Sequence, residues 1–405
     1  MNKIIISLLL TISISLPVYS QQSKDKSKFI EPKNETWETI EKEIKEFNAK
    51  PDKKPKKLIP DFDKIEIPKS LSDFKQSWHN EPIMQSATGT CWCFCGTSFL
   101  ESEIERINHK KLKMSEMHTV YYEYIERALD FIKTHGATYI GEGSQSSAVV
   151  RIWKKYGCVP EDTYTGKLNG QKHHDHTKMF AEIDSYLKFC KANNIWSEEM
   201  IIPNIKAILN HFMGVPPTEF SYNNKNYTPK QFLNEVVSIN LDDYIDFMSL
   251  KKYDFNTWNV YEVPDNWWFG KFFNINADNF INSIKKAIKN GFTMTIGGDV
   301  SEAGLYSYAD AAIVPSFDIP SEYIDDDARE FRFENGTTGD DHGIQIVGYT
   351  ELKNKTWFLI KDSGSGARNG KMKGYYMYSE DYVKLKMLTF MAHKDAVPDL
   401  IKLIK

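Results

Sequence analysis

The run Gln85-Ser-Ala-Thr-Gly-Thr-Cys91-Trp92-Cys-Phe94 sets an amide side chain six residues ahead of a cysteine that opens a predicted helix. A thiol is a weak nucleophile near neutral pH until its thiolate is stabilised. The unpaired N–H groups and positive end of a helix do this, and an imidazolium partner does more. Gly89 lets the backbone turn close to the thiol, and Gln85 supplies a neutral donor for a developing oxyanion. Far downstream, Asp340-Asp341-His342-Gly-Ile-Gln-Ile-Val-Gly-Tyr offers a base, and Trp357-Phe-Leu-Ile-Lys-Asp362-Ser363-Gly364 offers a carboxylate to orient it. This ordered Gln–Cys–His–Asp set is the chemistry of a cysteine nucleophile attacking an acyl carbonyl, as in a peptidase.

The elements that must position these groups change character along the chain. Apolar residues recur at helical spacing from Cys91 to about Ile107, which places Cys91 in a first turn. Further helices are predicted over 121–134, 146–156, 180–213 and 277–289, the second preceded by the loop Gly141-Glu-Gly143-Ser144. Residues 218–290 mix short aromatic runs with helices. Strands are predicted over 292–298, 343–349, 356–361 and 374–378. Helix-rich first and strand-rich last implies an α+β fold, with a helical N-terminal lobe and an antiparallel β lobe. A cleft between them would bring Cys91 towards His342.

Composition bounds the function. The 405 residues carry a formal net charge of −4, which gives nucleic-acid binding no support, and 41% hydrophobic with 13% aromatic residues suffices for a large core. Met1-Asn-Lys3, the apolar run Ile4 to Leu16, and Val18-Tyr19-Ser20 before Gln21 read as a cleaved signal peptide over 1–20. That run is short for a membrane span, so an exported protein, secreted or periplasmic, without a membrane anchor is expected. Residues 21–67, rich in Lys, Glu, Pro and Asp, read as a polar linker or short pro-segment ahead of a domain over 68–405. Glu35 to Phe47 within it has the pattern of a short amphipathic helix.

Other motifs yield simpler readings. Cys93, Cys95, Cys158 and Cys190 have no Cys-x-x-Cys spacing for a thiolate zinc site, and their pairing is not legible; Cys91 is the natural free thiol. His173-His174-Asp175-His176 lacks the i, i+4 spacing that turns two ligands to one ion, so no metal and no cofactor are expected. Gly364 to Gly370 is glycine-rich after a strand, but an extended aromatic segment follows instead of a helix, so it is not a dinucleotide loop. Asn266-Trp267-Trp268-Phe269 reads as core or subunit interface, and Asp325-Asp326-Asp327 as a solvated loop.

The Gln-x5-Cys-Trp-x-Phe block, the His-x-apolar-Val-Gly-Tyr strand and the strand ending Lys-Asp-Ser-Gly resemble those of papain-like cysteine peptidases. Lys155-Tyr156-Gly157 with Val159-Pro160, Gly214 to Phe220, Tyr227 to Val236, Gly291 to Val300 and His393 to Pro398 are similar to the bleomycin hydrolase and aminopeptidase C branch. The resemblance covers roughly residues 68–400 and implies a two-lobed fold with a peptide or protein substrate in the cleft. It implies Cys91 as nucleophile, His342 as its partner and proton donor to the leaving amine, and Gln85 with the Cys91 N–H as oxyanion hole. Asp362 takes the place of the usual orienting Asn.

Three departures from the pattern bear on function. Gly364 stands where an aromatic usually shields the His342 contact, which predicts a more exposed and weaker Asp362–His342 bond. Ser144 replaces the second glycine of a substrate-docking pair, so Gly143 and Ser144 are docking candidates of an altered kind. The branch often sends its own C-terminus into the cleft, giving aminopeptidase action, and often forms hexameric rings. Here the chain stops at Leu400-Ile-Lys-Leu-Ile-Lys405, soon after Val397-Pro398. Aminopeptidase and endopeptidase action therefore both stay open. A Cys-His-Asp amidase or transglutaminase, and a non-catalytic peptide-binding relative, are the alternatives that Asp362 and Gly364 raise.

Overall fold

The computed structural model describes residue 31, residues 33–49 and residues 56–404. The chain divides into two compact units, 1–56 and 57–405. The expected signal peptide lies outside the described residues. In the first unit, Glu35–Asn48 is helical, with the Trp37 N–H donating to the Asn34 side chain at 3.0 Å as a cap and no residue buried. Among the described residues, no helix is long and apolar enough to cross a membrane.

In the second unit, packing begins before residue 68. Phe62, Ile65 and Ile67 lie against a core cluster that includes Phe74, Trp357 and Tyr375. These apolar residues sit among lysines and aspartates, and that local polarity is why the stretch reads as a linker in sequence.

The helical half is built around Cys91–Asn108, whose residues Trp92 to Ile104 are all buried. A helix that is buried all round needs close neighbours. Gly96 provides one such approach, because a Cβ there would stand 2.7 Å from both the Ser146 carbonyl oxygen and Val149 Cγ2. The Ala148–Tyr156 helix packs at that point, and Glu116–Lys133, Thr177–Ala192 and Glu198–Met213 complete the layer. The helix predicted over 121–134 starts five residues earlier than the sequence pattern suggests, at Glu116, because the Ser115 hydroxyl accepts from the His118 N–H at 3.0 Å. The single long helix expected over 180–213 is two helices: Asn194 adopts φ 55°, and Glu198 opens a new helix after Ser197.

The other half is an 11-stranded sheet. Its central strands run in the order Tyr244–Met248, Met387–His393, Met294–Gly298, His342–Leu352, Lys355–Lys361 and Tyr375–Ser379. The sheet is mixed, which corrects the expectation of an antiparallel lobe. Tyr244–Met248 pairs parallel to Lys271–Asn274, and Tyr375–Ser379 pairs parallel to Ala311–Ala312. The aromatic runs between 244 and 274 thus belong to the sheet. The Ala277–Lys289 helix covers one face over Phe247, Ile296 and Phe390, and Pro398–Ile401 packs on that helix.

A polar seam joins the two halves. The Ser98 hydroxyl donates to Gln345 Oε1 at 2.6 Å and accepts from Lys361 Nζ at 2.7 Å, while Gln345 Nε2 donates to Ser102 at 3.0 Å. Cys95 Sγ reaches the Ile344 carbonyl at 3.1 Å. Every partner in the seam is buried, so the strands carrying residues 345 and 361 are pinned to the Cys91 helix in one register. Gly96→Val will destabilise this unit by about 1–3 kcal/mol through overpacking. The midpoint of urea unfolding will fall accordingly, whereas Gly336→Ala, at a position with open space but positive φ, tests the backbone effect alone.

Candidate active site

Cys91 is the first residue of its helix and is partly exposed. Thr90 precedes it but does not cap it; the Thr90 hydroxyl pairs with Thr88 Oγ1 at 2.6 Å instead. The first N–H groups of the helix therefore keep their positive field for the thiol. The loop before Cys91 is fastened by Glu142, which sequence reasoning passed over. Its carboxylate accepts from the Gly89 N–H at 2.8 Å, and its carbonyl accepts from Trp92 Nε1 at 3.1 Å. The only hint in the sequence is a carboxylate between two glycines.

His342 opens the long strand, and Asp362 follows the neighbouring one. The hairpin turns at Lys353-Asn354, with φ of 52° and 61°, the handedness a two-residue hairpin needs. Its register pairs Gln345 with Lys361, so continuing outward sets His342 beside the residues after Lys361. His342 Nε2 lies 2.9 Å from Asp362 Oδ1. This leaves Nδ1 for the thiol, and Cys91 and His342 face the same cavity. Cys91, His342 and Asp362, three of the four residues of the expected set, are thus brought together.

The electrostatics reinforce an ion pair. Burial pushes the His342 ring towards neutrality, but the Asp362 charge and then Cys91 outweigh it, leaving the imidazole well above its ordinary value. Burial likewise pushes Asp362 up, yet the His342 charge and hydrogen bond, with the Gly364 N–H, hold its carboxyl below the usual range. The Gly364 N–H donates to Asp362 Oδ1 at 2.6 Å.

The expectation of an exposed Asp362–His342 bond is corrected. The two side chains are 5% and 12% exposed. Backbone rather than an aromatic ring provides the cover: Arg368 donates to the carbonyls of Asp362 and Gly364 at 2.6 and 2.8 Å and folds the Ser365–Arg368 turn over them. A side chain at 364 would stand 3.1 Å from Asp362 Oδ1 and 3.7 Å from His342 Nε2, so glycine allows this close approach.

Gln85 is tied to the same segment. Its N–H donates to the Ser363 carbonyl at 3.0 Å, and its Oε1 accepts from the Ser363 hydroxyl at 2.7 Å. With Oε1 so fixed, Nε2 is the donor end; one hydrogen goes to the Thr88 carbonyl at 2.7 Å, leaving the other for a ligand. Ser363 is a second positioning residue that the sequence did not single out.

Gly143 and Ser144 are placed differently from expectation. Ser144 donates to Glu123 Oε1 at 2.7 Å, and the Gly143 carbonyl is held by Arg127. The Asp265 carboxylate packs so closely over Gly143 that a Cβ there would collide with it. The Ser144 hydroxyl and the Gly143 carbonyl, both docking candidates in the sequence, are thus engaged within the protein. His176 likewise turns inward, its ring against Tyr124. Trp267 is core, with its Nε1 on Glu123 at 2.8 Å, while Phe269 is 70% exposed.

The comparisons with known proteins agree with this geometry. The Peptidase C1-like family matches residues 68–404. The chain belongs to that family. It is a papain-like cysteine peptidase, of the branch that holds the relatives it resembles. Aminopeptidase C of Lactococcus lactis subsp. cremoris is 23% identical over 373 residues, spanning 82% of this chain and 84% of the relative. Aminopeptidase G of Lactobacillus delbrueckii subsp. lactis is 21% identical over 359 residues, with 76% and 80% covered. Among solved structures, PepW from Lactobacillus rhamnosis HN001 superposes with a TM-score of 0.65 at 17% identity, covering 81% of this chain and 84% of that one. At that identity the superposition speaks for the fold.

The ionisation pattern gives a signed pH prediction. The raised value of His342 means that its stabilising contribution is present in full below the unfolded value near ~6.5 and is lost as pH rises through the folded one. The depressed value of Asp362 means the reverse: its contribution is present above ~3.9 and is lost as pH falls through the folded value. The pair therefore persists between the lowered Asp362 value and the raised His342 value. In Asp362→Asn the His342 ring will titrate at lower pH than in the parent protein, as read by NMR of the ring.

Proposed function

We propose that this protein is an exported peptidase that removes residues from the N-terminus of peptides through an acyl-enzyme at Cys91. The pairing of His342 with Asp362 at 2.9 Å beside a helix-opening cysteine carries the reading. In it, the Cys91 thiolate attacks the scissile carbonyl carbon, and the carbonyl electrons move onto oxygen. The free Nε2 hydrogen of Gln85 and the N–H at the helix start receive that oxyanion. His342, held charged by Asp362, gives its proton to the leaving amine, and a thioester remains on Cys91. Water, deprotonated by the now neutral imidazole, adds to the thioester carbonyl; the C–S bond breaks, the acyl group leaves as the carboxylic acid, and the Cys91 thiolate beside charged His342 is restored.

Aminopeptidase action is favoured by the kinship with aminopeptidases C and G, since three-quarters or more of each chain aligns. Internal cleavage is the competing reading. A peptide library incubated with the purified protein and read by mass spectrometry decides between them: stepwise loss of N-terminal residues is expected, and internal cuts would replace the reading by an endopeptidase.

Export rests on Met1 to Ser20. Sequencing the protein recovered from its native compartment should find Gln21 first, and an intact Met1 would remove export from the reading. Ring assembly is implied by resemblance alone, and sedimentation velocity is its test.

Cys91→Ala should abolish turnover and labelling by an epoxide thiol inhibitor. Gln85→Ala should lower kcat by roughly 10²–10³-fold, equivalent to about 2.7–4 kcal/mol of oxyanion stabilisation, with the unfolding midpoint little changed. Undiminished kcat in Gln85→Ala would remove that residue from the oxyanion hole.

A further inference from the structure

The space beside Cys91 is unusual in its charge. A small cavity, about 30 Å³ in volume, is bounded by Cys91 and His342 on one side and by Asp246, Asp265, Asp340 and Asp341 on the others. Among the described residues, His342, already engaged by Asp362, is the only basic side chain lining it. Asp341 is satisfied by the Val300 N–H at 2.9 Å. Asp340 accepts one hydrogen bond, from Gln145 Nε2 at 2.6 Å. Asp246, on the Tyr244–Met248 strand, has Ser147 as its neighbouring donor. Asp265 makes no salt bridge among the described residues; the charge of Arg127 acts on it, but the two Nη groups of Arg127 bond to the carbonyls of Gly141 and Gly143.

The loop that delivers Asp265 is rigid. Asn266 Nδ2 donates to the Tyr261 and Gly270 carbonyls at 2.8 Å each, and Asn266 Oδ1 accepts from the Gly270 N–H at 2.9 Å. Trp267 anchors the loop to Glu123, with Arg127 and Arg151 stacked on its ring at 5.3 and 5.0 Å. Behind the cavity wall, Tyr261 is fully buried, and its hydroxyl has no partner although the charges of Asp340, Arg329 and Asp265 act on it. Burial pushes Asp246 and Asp340 up to about 7, with the charges of Asp265 and Asp341 adding to the effect at Asp340, and raises Asp265 against the opposing charge of Arg127. Arg127 acts on Asp265 and Lys154 on Asp246, but neither lines the cavity, so four carboxyls face it against one imidazole among the described residues. Because the cavity is contiguous with the nucleophile, the molecule that brings a positive partner is the substrate.

We infer that the carboxylate-lined cavity beside Cys91 binds a cationic group of the substrate, with Asp265 and Asp340 as its contacts and Asp246 adding to the field. The chemistry is that of an ammonium or guanidinium, and it has two sources in a peptide: the free α-amine or a Lys or Arg side chain. Asp265 lies over Gly143, so an extended chain running past that glycine meets a carboxylate where it would otherwise find backbone. The inference rests on the reading of the site as a peptide site but not on turnover.

The test uses the full chain with Cys91→Ala, titrated by calorimetry with three probes. Leucinamide presents only an α-ammonium, Nα-acetyl-lysinamide only a side-chain ammonium, and Nα-acetyl-leucinamide no charge. At least tenfold tighter binding of one charged probe than of the neutral one is expected, and the one that binds names the source. Adding Asp265→Asn or, separately, Asp340→Asn should weaken that probe at least tenfold while the melting curve is retained. Equal binding of all three probes, binding of none, or insensitivity to both Asp substitutions overturns the inference. Failure of the peptidase reading would show separately, as absence of cleavage by the unsubstituted protein with cation binding intact.

Discussion

The contact between His342 and Asp362 depends on a hairpin. Two neighbouring antiparallel strands joined by the Lys353-Asn354 turn bring the first residue of one beside the residue that follows the other. A slip of one residue would turn each side chain to the opposite face and separate the ring from the carboxylate. The register is held by more than the turn. Gln345 and Lys361, directly paired across the hairpin, both bond to Ser98 on the Cys91 helix. The interaction that orients the imidazole is therefore fixed by the same buried seam that fixes the distance between the two halves of the site. Lys361 shows the cost of that arrangement, since burial lowers its ammonium to about 8.

Substitution at one point of the site is offset by backbone at another. With no aromatic ring at 364, the carboxylate of Asp362 is enclosed by a glycine N–H and by a turn that Arg368 ties down. A carboxylate at 362 also differs from an amide in charge, so it holds the imidazolium by Coulomb attraction as well as by geometry. In a site as buried as this, that attraction outweighs the desolvation of both groups, as the directions of both ionisations indicate.

On the far side of the nucleophile the loop 261–270 changes what the cleft offers. Glu123 gathers Ser144, Trp267 and Arg151 around one carboxylate, and Arg127 clamps the 141–143 backbone. Two loops distant in sequence become one wall, and Asp265 is its charged part. The specificity of this site is thus written in carboxylates that the chemistry at Cys91 does not itself require.

Much of this was legible in the sequence. Cys91 at a helix start, His342 at the head of an apolar strand and Asp362 at the end of the next are local patterns, and local patterns survive translation into structure because periodicity and chain order fix them. The α+β division and the Ala277–Lys289 helix were legible for the same reason. What the sequence left open was every relation between residues far apart. It carried no sign that Ser363 would orient Gln85 or that Arg368 would enclose the pair where an aromatic was missing, and for Glu142 fastening the Gly89 turn it offered only a carboxylate between two glycines. Nor did it show that strands near 244–274 would pair in parallel with one another and join the sheet. These depend on packing between segments up to hundreds of residues apart, and only the folded chain, by excluding water from those contacts, gives a lone carboxylate such as Asp265 its electrostatic weight.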